Sequence, residues 1–184
     1  MSTDIFTTSW ELTDSIEVPA APAELYVMVS DITRMGEWSP ECRGGTWVSG
    51  TAGTVGARFH GFNAHDGMAW VSESEVIEAE PDHAFGFSVM RFRTGGPDDI
   101  TDWIEGSALG DMTWRFVIEA KDAGSVLTQE HVMRCPSPFY RGMLEATPED
   151  ERLASLRERK EILRGSMAAT LQRIKDATGR RATA

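Results

Sequence analysis

The sequence has few of the residues that build disulfide frameworks and metal centres. It contains two cysteines, Cys42 and Cys135, and four histidines in 184 residues. Two cysteines are too few for a disulfide framework, and isolated cysteines are more often reduced, small apolar residues than reactive ones. There is no Cys-x-x-Cys pair, no His-x-x-x-His spacing and no glycine-rich phosphate loop after a predicted strand. The sequence therefore predicts no metal and no cofactor.

Basic residues and long apolar runs are also scarce. Lysine and arginine number 18 against 29 acidic residues, which gives a formal net charge of −11. Such a charge repels nucleic acid and anionic membrane surfaces, so neither is an expected partner. No stretch approaches the roughly 20 apolar residues of a membrane span, and the first ten residues lack the basic and apolar regions of a signal peptide. We therefore expect a cytoplasmic protein without stable membrane insertion.

The segment over residues 18–40 is the most informative part of the chain. It reads as the end of a first strand (residues 10–18), a helix that begins at Pro22 and runs to about Ser30, and a second helical turn capped by Asp31. Two short helices therefore follow the first strand. The length of 184 residues predicts a single domain over residues 1–184, with a core over about 13–178.

Strand signals dominate the middle of the chain. Alternation predicts strands over residues 44–49, 55–64, 68–80, 84–91, 112–120 and 125–135, and Asp66-Gly67 is typical of a hairpin turn. Residues 92–110 show a break at 95–99 but no readable pattern. The stretch is therefore left without an assigned element.

The apolar period becomes helical near the end of the chain. From about residue 148 to 177, apolar residues recur three, four or seven positions apart, with charges between them: Leu153, Leu156, Leu163, Met167, Leu171 and Ile174. Thr147-Pro148 is typical of a helix start and Gly179 of a stop. Such a helix spans on the order of 40 Å, enough to cross a small domain.

Three pieces of the sequence carry a resemblance to a known family. They are VSDITRMGEWSPEC (29–42), VGARFHGFNAHDGMAW (55–70) and SMAATLQRIKDA (166–177). The chain resembles the polyketide cyclase/dehydrase and lipid-transport family of the START-like helix-grip superfamily (SRPBCC). The resemblance implies an α+β fold in which an antiparallel sheet of about seven strands wraps around a long C-terminal helix. It supplies no invariant catalytic residues.

The resemblance also implies an internal cavity between the concave sheet face and the long helix. Alternation along the strands, with the helical period, then predicts a set of ligand-binding residues: Phe59, Trp70, Ser72, Ser74, Phe87, Trp114, Phe116, Gln129, His131, Met133, Leu163 and Met167. His131 is the one weak candidate for a catalytic acid or base, although a hydrogen-bonded interior histidine is the commoner case. Neither Ser72 nor Ser74 lies in a nucleophile elbow.

Three functions stay open at this point. The first is binding or transport of a small hydrophobic ligand, such as a lipid, polyketide, isoprenoid or aromatic metabolite. The second is an aromatase/cyclase-like enzyme acting on a polyketide, in which holding the reacting carbons together supplies much of the catalysis. The third is a protein-interaction module on the same fold, and a homodimer is compatible with each. Because no acid/base pair is identifiable, the sequence favours the non-enzymatic binder.

Overall fold

The computed structural model describes residues 9–181, and the backbone alone of residues 180 and 181. The first eight residues, most of the segment in which no signal peptide is expected, lie outside the described residues. The strands are β1 (Trp10–Val18), β2 (Cys42–Ser49), β3 (Arg58–His65), β4 (Met68–Glu80), β5 (Ala84–Thr94), β6 (Ile104–Glu105), β7 (Met112–Lys121) and β8 (Gly124–Met133). The helices are α1 (Pro22–Ser30), a 3₁₀ helix (Ile32–Glu37), α2 (Pro138–Ala146) and α3 (Arg152–Arg181).

The strands form one antiparallel sheet with α3 packed on one face. The order is β1-β8-β7-β5-β4-β3-β2, and β6 pairs with β5 beyond the end of β7. The predicted α+β class, antiparallel sheet and long C-terminal helix are confirmed. The sheet has eight strands in the described residues rather than about seven, because the two-residue β6 belongs to the stretch left unassigned.

Local chemistry explains the two short helices after β1. Pro22 is the first residue of α1, where its missing N–H costs no hydrogen bond. The Asp31 carboxylate accepts a hydrogen bond from the Thr33 backbone N–H at 3.1 Å and so caps the 3₁₀ helix. The predicted order of strand, helix and helical turn is confirmed. Downstream, Asp66 and Gly67 adopt φ of 46° and 77°, as the hairpin between β3 and β4 requires.

β5 runs three residues further than predicted, to Thr94. Arg93 is buried there and donates to the backbone carbonyls of Gly96 and Pro97, at 3.1 and 3.0 Å, which fixes the turn after the strand. Trp103 then folds back over the sheet, with the Cζ atom of Arg91 4.7 Å from its ring centroid. These tertiary contacts, rather than a local pattern, order residues 95–110.

The chain after β8 differs from the prediction. Ser137 caps an additional helix, α2, by accepting a hydrogen bond from the Tyr140 N–H at 3.3 Å. Thr147 ends α2 instead of starting the long helix, which begins at Arg152. The helix also continues through Gly179 to Arg181. Leu153, predicted as part of the apolar stripe, is 39% exposed in the first turn of α3.

The interior divides into two clusters. The α1 cluster packs α1 and the 3₁₀ helix against the sheet and the C-terminal half of α3, and its members include Leu25, Val29, Trp38, Phe85, Leu127, Leu171 and Ile174. The α2 cluster packs α2 against the sheet and the N-terminal half of α3, and its members include Trp10, Trp70, Val89, Phe92, Met133, Leu144, Leu163 and Met167. α3 and the strands β1, β4, β5, β7 and β8 contribute buried residues to both clusters.

Candidate ligand cavity

A cavity of about 260 Å³ lies between the sheet, α2 and α3. Its wall is mostly apolar and aromatic. Eleven of the twelve residues predicted to bind ligand line it: Phe59, Trp70, Ser72, Phe87, Trp114, Phe116, Gln129, His131, Met133, Leu163 and Met167. The alternation of the strands brings nine of these side chains to one space, and the helical period of α3 adds Leu163 and Met167. Their role toward a ligand remains a prediction.

Ser74 does not line the cavity, which corrects its predicted position. Its side chain has no exposed surface, and its hydroxyl has no hydrogen-bond partner among the described residues. It lies one step of the alternation beyond Ser72 and next along that face is Val76, a fully buried member of the α1 cluster. Ser74 is therefore buried between the cavity-lining Ser72 and the α1 cluster.

Several lining residues were missed by the sequence prediction. Phe139, Tyr140 and Met143 come from α2, whose short apolar pattern gave no assignment. On α3 the cavity contacts Arg159, Ser166 and Thr170. These three stand four before, three after and seven after Leu163, so the helical period carried a signal for them. Trp10 was also missed; β1 places it beside β8 through its pairing with Met133.

His131 lies in the cavity wall as a neutral ring. It is 3% exposed and stacks on Trp114, with ring centroids 4.0 Å apart and planes 17° apart. Burial lowers the pKa of His131 to about 4, and the hydrogen bond to the backbone opposes this only in part. Its Nδ1 lies 2.9 Å from the Thr113 carbonyl oxygen, which can only accept, so Nδ1 carries the proton and Nε2 does not.

An ion pair joins two parts of the wall. The two terminal guanidinium nitrogens of Arg159 on α3 donate to the carboxylate of Glu41, just before β2, at 2.6 and 2.9 Å. The side chains of Glu41 and Arg159 are 12% and 25% exposed. This bidentate geometry fixes the position of both groups and neutralises their charges.

On the β1–β8–α2 side of the wall, three polar atoms have no hydrogen-bond partner among the described residues. They are Trp10 Nε1, Gln129 Oε1 and the Tyr140 hydroxyl oxygen. Trp10 and Tyr140 meet edge to face with centroids 6.3 Å apart, and Trp10 lies at the same distance from His131. Burial raises the pKa of Tyr140, so its hydroxyl keeps its proton at neutral pH. The β1–β8–α2 side of the cavity therefore carries a group of unpartnered hydrogen-bonding atoms within a mostly apolar wall.

The cysteines and acidic residues do not form a reactive or metal-binding centre in the described part of the chain. Cys42 and Cys135 are free thiols, and burial raises the pKa of Cys42, which disfavours the reactive thiolate. Within residues 9–181, no group of three or more His, Cys, Asp or Glu side chains is placed to hold a metal ion. No helix of the same range combines the length and the apolarity needed to cross a membrane.

Solved structures of other proteins share the fold of this chain. A polyketide cyclase-like protein of Corynebacterium glutamicum, Cgl2372, is similar over 91% of this chain and 90% of its own, at 30% identity and a TM-score of 0.59. The major latex-like protein 151 of Panax ginseng is similar over 92% of this chain and 97% of its own, at 10% identity and a TM-score of 0.58. These likenesses confirm the predicted helix-grip arrangement.

A two-domain aromatase/cyclase, StfQ of the steffimycin biosynthetic pathway, has the same fold. It is similar over 98% of this chain but 54% of its own length, at 13% identity and a TM-score of 0.69. No curated protein matches the chain. The family model described as polyketide cyclase / dehydrase and lipid transport matches residues 9–177. The chain therefore belongs to the polyketide cyclase/dehydrase and lipid-transport family.

Proposed function

We propose that the chain, as one ligand-binding domain, binds a small hydrophobic molecule in the cavity between its sheet, α2 and α3. The observation that carries this proposal is an aromatic and apolar wall around about 260 Å³, interrupted by a few unpartnered polar atoms. Ligand sites have this composition, and their volumes start at about 300 Å³. At about 260 Å³, this cavity lies just below that lower end.

The energetics of an empty cavity support the proposal. Unfilled apolar volume costs about 24 cal/mol per Å³. Keeping 260 Å³ empty would thus cost about 6 kcal/mol, comparable with the whole net stability of a domain. The cavity is therefore expected to hold water or a ligand. A mainly apolar wall makes a hydrophobic ligand the better occupant, because it releases water from that surface.

A cyclase-like reaction is the second candidate. The observation that favours it is the neutral ring of His131, held by Thr113 in the wall of the cavity. A neutral imidazole can accept a proton from a bound substrate, and the cavity would fold the substrate around it. Replacement of His131 separates the two functions, since turnover would be lost while binding of the hydrophobic ligand would persist.

Native mass spectrometry of freshly purified protein tests the proposed binding. We expect an adduct whose released molecule is hydrophobic, and a rise in thermal stability on adding hydrophobic metabolites. Ser166→Phe, which fills the cavity from α3, should abolish both. Ala168→Phe adds the same ring to the exposed face of α3 and is the matched control.

Two outcomes would contradict the proposal. The first is a protein that is free of any adduct and shows no thermal shift with any member of a hydrophobic library. The second is a Ser166→Phe variant that folds normally and binds as well as the Ala168→Phe control.

A further inference from the structure

The cavity wall has almost no net charge. Apart from histidines, Glu41 and Arg159 are the charged residues that line it in the described part of the chain. They face each other in a bidentate pair with nitrogen–oxygen distances of 2.6 and 2.9 Å. A ligand carboxylate would have to compete with Glu41 for the guanidinium, or leave Glu41 buried without its partner. The pair therefore disfavours an anionic ligand.

His131 adds no compensating positive charge. Burial holds its pKa near 4, and the nearby positive charge of Arg159 contributes to the lowering. At neutral pH the imidazole is uncharged, and its Nδ1–H donates a hydrogen bond to the Thr113 carbonyl oxygen. An anion in the cavity would thus find no free cation among the described lining residues.

The same wall offers uncharged hydrogen-bonding atoms that are not used. Trp10 Nε1 is a donor, Gln129 Oε1 an acceptor, and the Tyr140 hydroxyl can act as either. Trp10 and Gln129 are only 5% and 7% exposed, so bulk water does not satisfy them. Gln129 and His131 stand two positions apart on β8, hence on one face of the sheet, and Trp10 lies against His131. These atoms share one side of the cavity.

Resting on the proposed function, we infer that the ligand is an uncharged apolar molecule carrying a hydroxyl or carbonyl oxygen, and that the cavity selects against carboxylates. Such an oxygen accepts from Trp10 Nε1 or Tyr140, and a hydroxyl also donates to Gln129 Oε1. The ring system or chain of the ligand then lies against the aromatic wall on the side of Phe59 and Phe87.

Three probes of nearly equal shape test the inference: 2-naphthol, naphthalene and 2-naphthoate, measured by equilibrium dialysis at pH 7. We expect 2-naphthol to bind at least tenfold more tightly than either of the other two. Equal binding of naphthalene, or equal or tighter binding of 2-naphthoate, overturns this inference and leaves the proposed function standing. Failure of all three to bind folded protein counts against the proposed function itself.

Variants assign the selectivity to the named groups. Glu41→Gln removes the charge that occupies Arg159, so we expect 2-naphthoate to bind about tenfold more tightly while naphthalene is unchanged. Glu161→Gln is the matched control, because Glu161 pairs with Arg164 on the exposed side of α3 with side chains 67% and 53% exposed. It should change neither affinity.

A second pair of variants tests the uncharged atoms independently of the ion pair. Gln129→Met and Tyr140→Phe should each reduce the preference for 2-naphthol over naphthalene by threefold or more, with naphthalene affinity kept. An unchanged preference in both variants, or an unchanged 2-naphthoate affinity in folded Glu41→Gln, overturns the assignment.

Discussion

The α1 and α2 clusters are built from similar apolar residues but fill space differently. In the α1 cluster, Leu25, Val29, Phe85, Leu127 and Ile174 have no exposed surface, and only four of its buried members border the cavity, namely Ile32, Met35, Phe59 and Phe116. Most buried members of the α2 cluster border it. The comparison teaches that hydrophobicity alone does not decide where a cavity forms.

The largest expected effect compares two leucines of the same helix. Leu171→Ala, in the α1 cluster, should lower the free energy of unfolding by about 4 kcal/mol, because it leaves a void in closely packed surroundings. Leu163→Ala, in the cavity wall, should cost only about 2 kcal/mol, since part of its surroundings is already open. Chemical denaturation measures both. Equal costs would mean that the two clusters are equally well packed.

The next largest effect is a pH dependence of the free energy of unfolding that arises from His131, in the cavity wall. Burial lowers the pKa of His131 to about 4, below the ordinary value of about 6.5. Between these values the unfolded chain binds a proton that the folded chain does not, so the free energy of unfolding falls as the pH drops from 7 to 4. Over the whole range, His131 accounts for a change of about 3 kcal/mol in the free energy of unfolding.

Urea denaturation of the natural protein and of His131→Asn across that pH range checks this sign. Asn can still donate to the Thr113 carbonyl but does not titrate, so the difference in slope belongs to His131. Parallel pH profiles of the two proteins would show that His131 is not kept neutral by burial.

A smaller effect concerns the unpartnered amide of Gln129. A buried polar atom without a partner costs about 1–3 kcal/mol, so Gln129→Met should raise the stability of ligand-free protein by about 1 kcal/mol. Leu127→Met, two positions along β8 in the α1 cluster, removes no polar atom and should not stabilise. A destabilised Gln129→Met variant would mean that bound water already satisfies the amide.

The smallest expected change in the free energy of unfolding concerns Gly165, near the middle of α3. A Cβ atom added at Gly165 would meet no other heavy atom within 4 Å. Gly165→Ala should therefore raise the free energy of unfolding by about 0.5–1 kcal/mol through helix propensity alone. Ligand affinity should not change. A loss of stability would indicate a packing role for Gly165 that the structure does not show.

Elements with local signals could be predicted from the sequence. Pro22, Asp31 and Asp66-Gly67 each favour one backbone conformation locally. Strand alternation then predicted nine of the cavity-lining side chains, and the helical period of α3 predicted two more. α2 was missed because its nine residues are too few for the apolar spacing of Phe139, Tyr140, Met143 and Leu144 to stand out as a helical period. The pairing of Glu41 with Arg159 joins residues 118 positions apart. No local pattern contains such a contact.

The continuity of α3 has a consequence for how a ligand would exchange. Its C-terminal half is held by the closely packed α1 cluster, whereas its N-terminal half is held by α2, the cavity wall and the pair with Glu41. We expect amide hydrogen exchange to be slowest near Leu171 and Ile174 and faster toward Arg152. Opening of α2 with the first turns of α3 would then release the ligand while the rest of the domain stays folded.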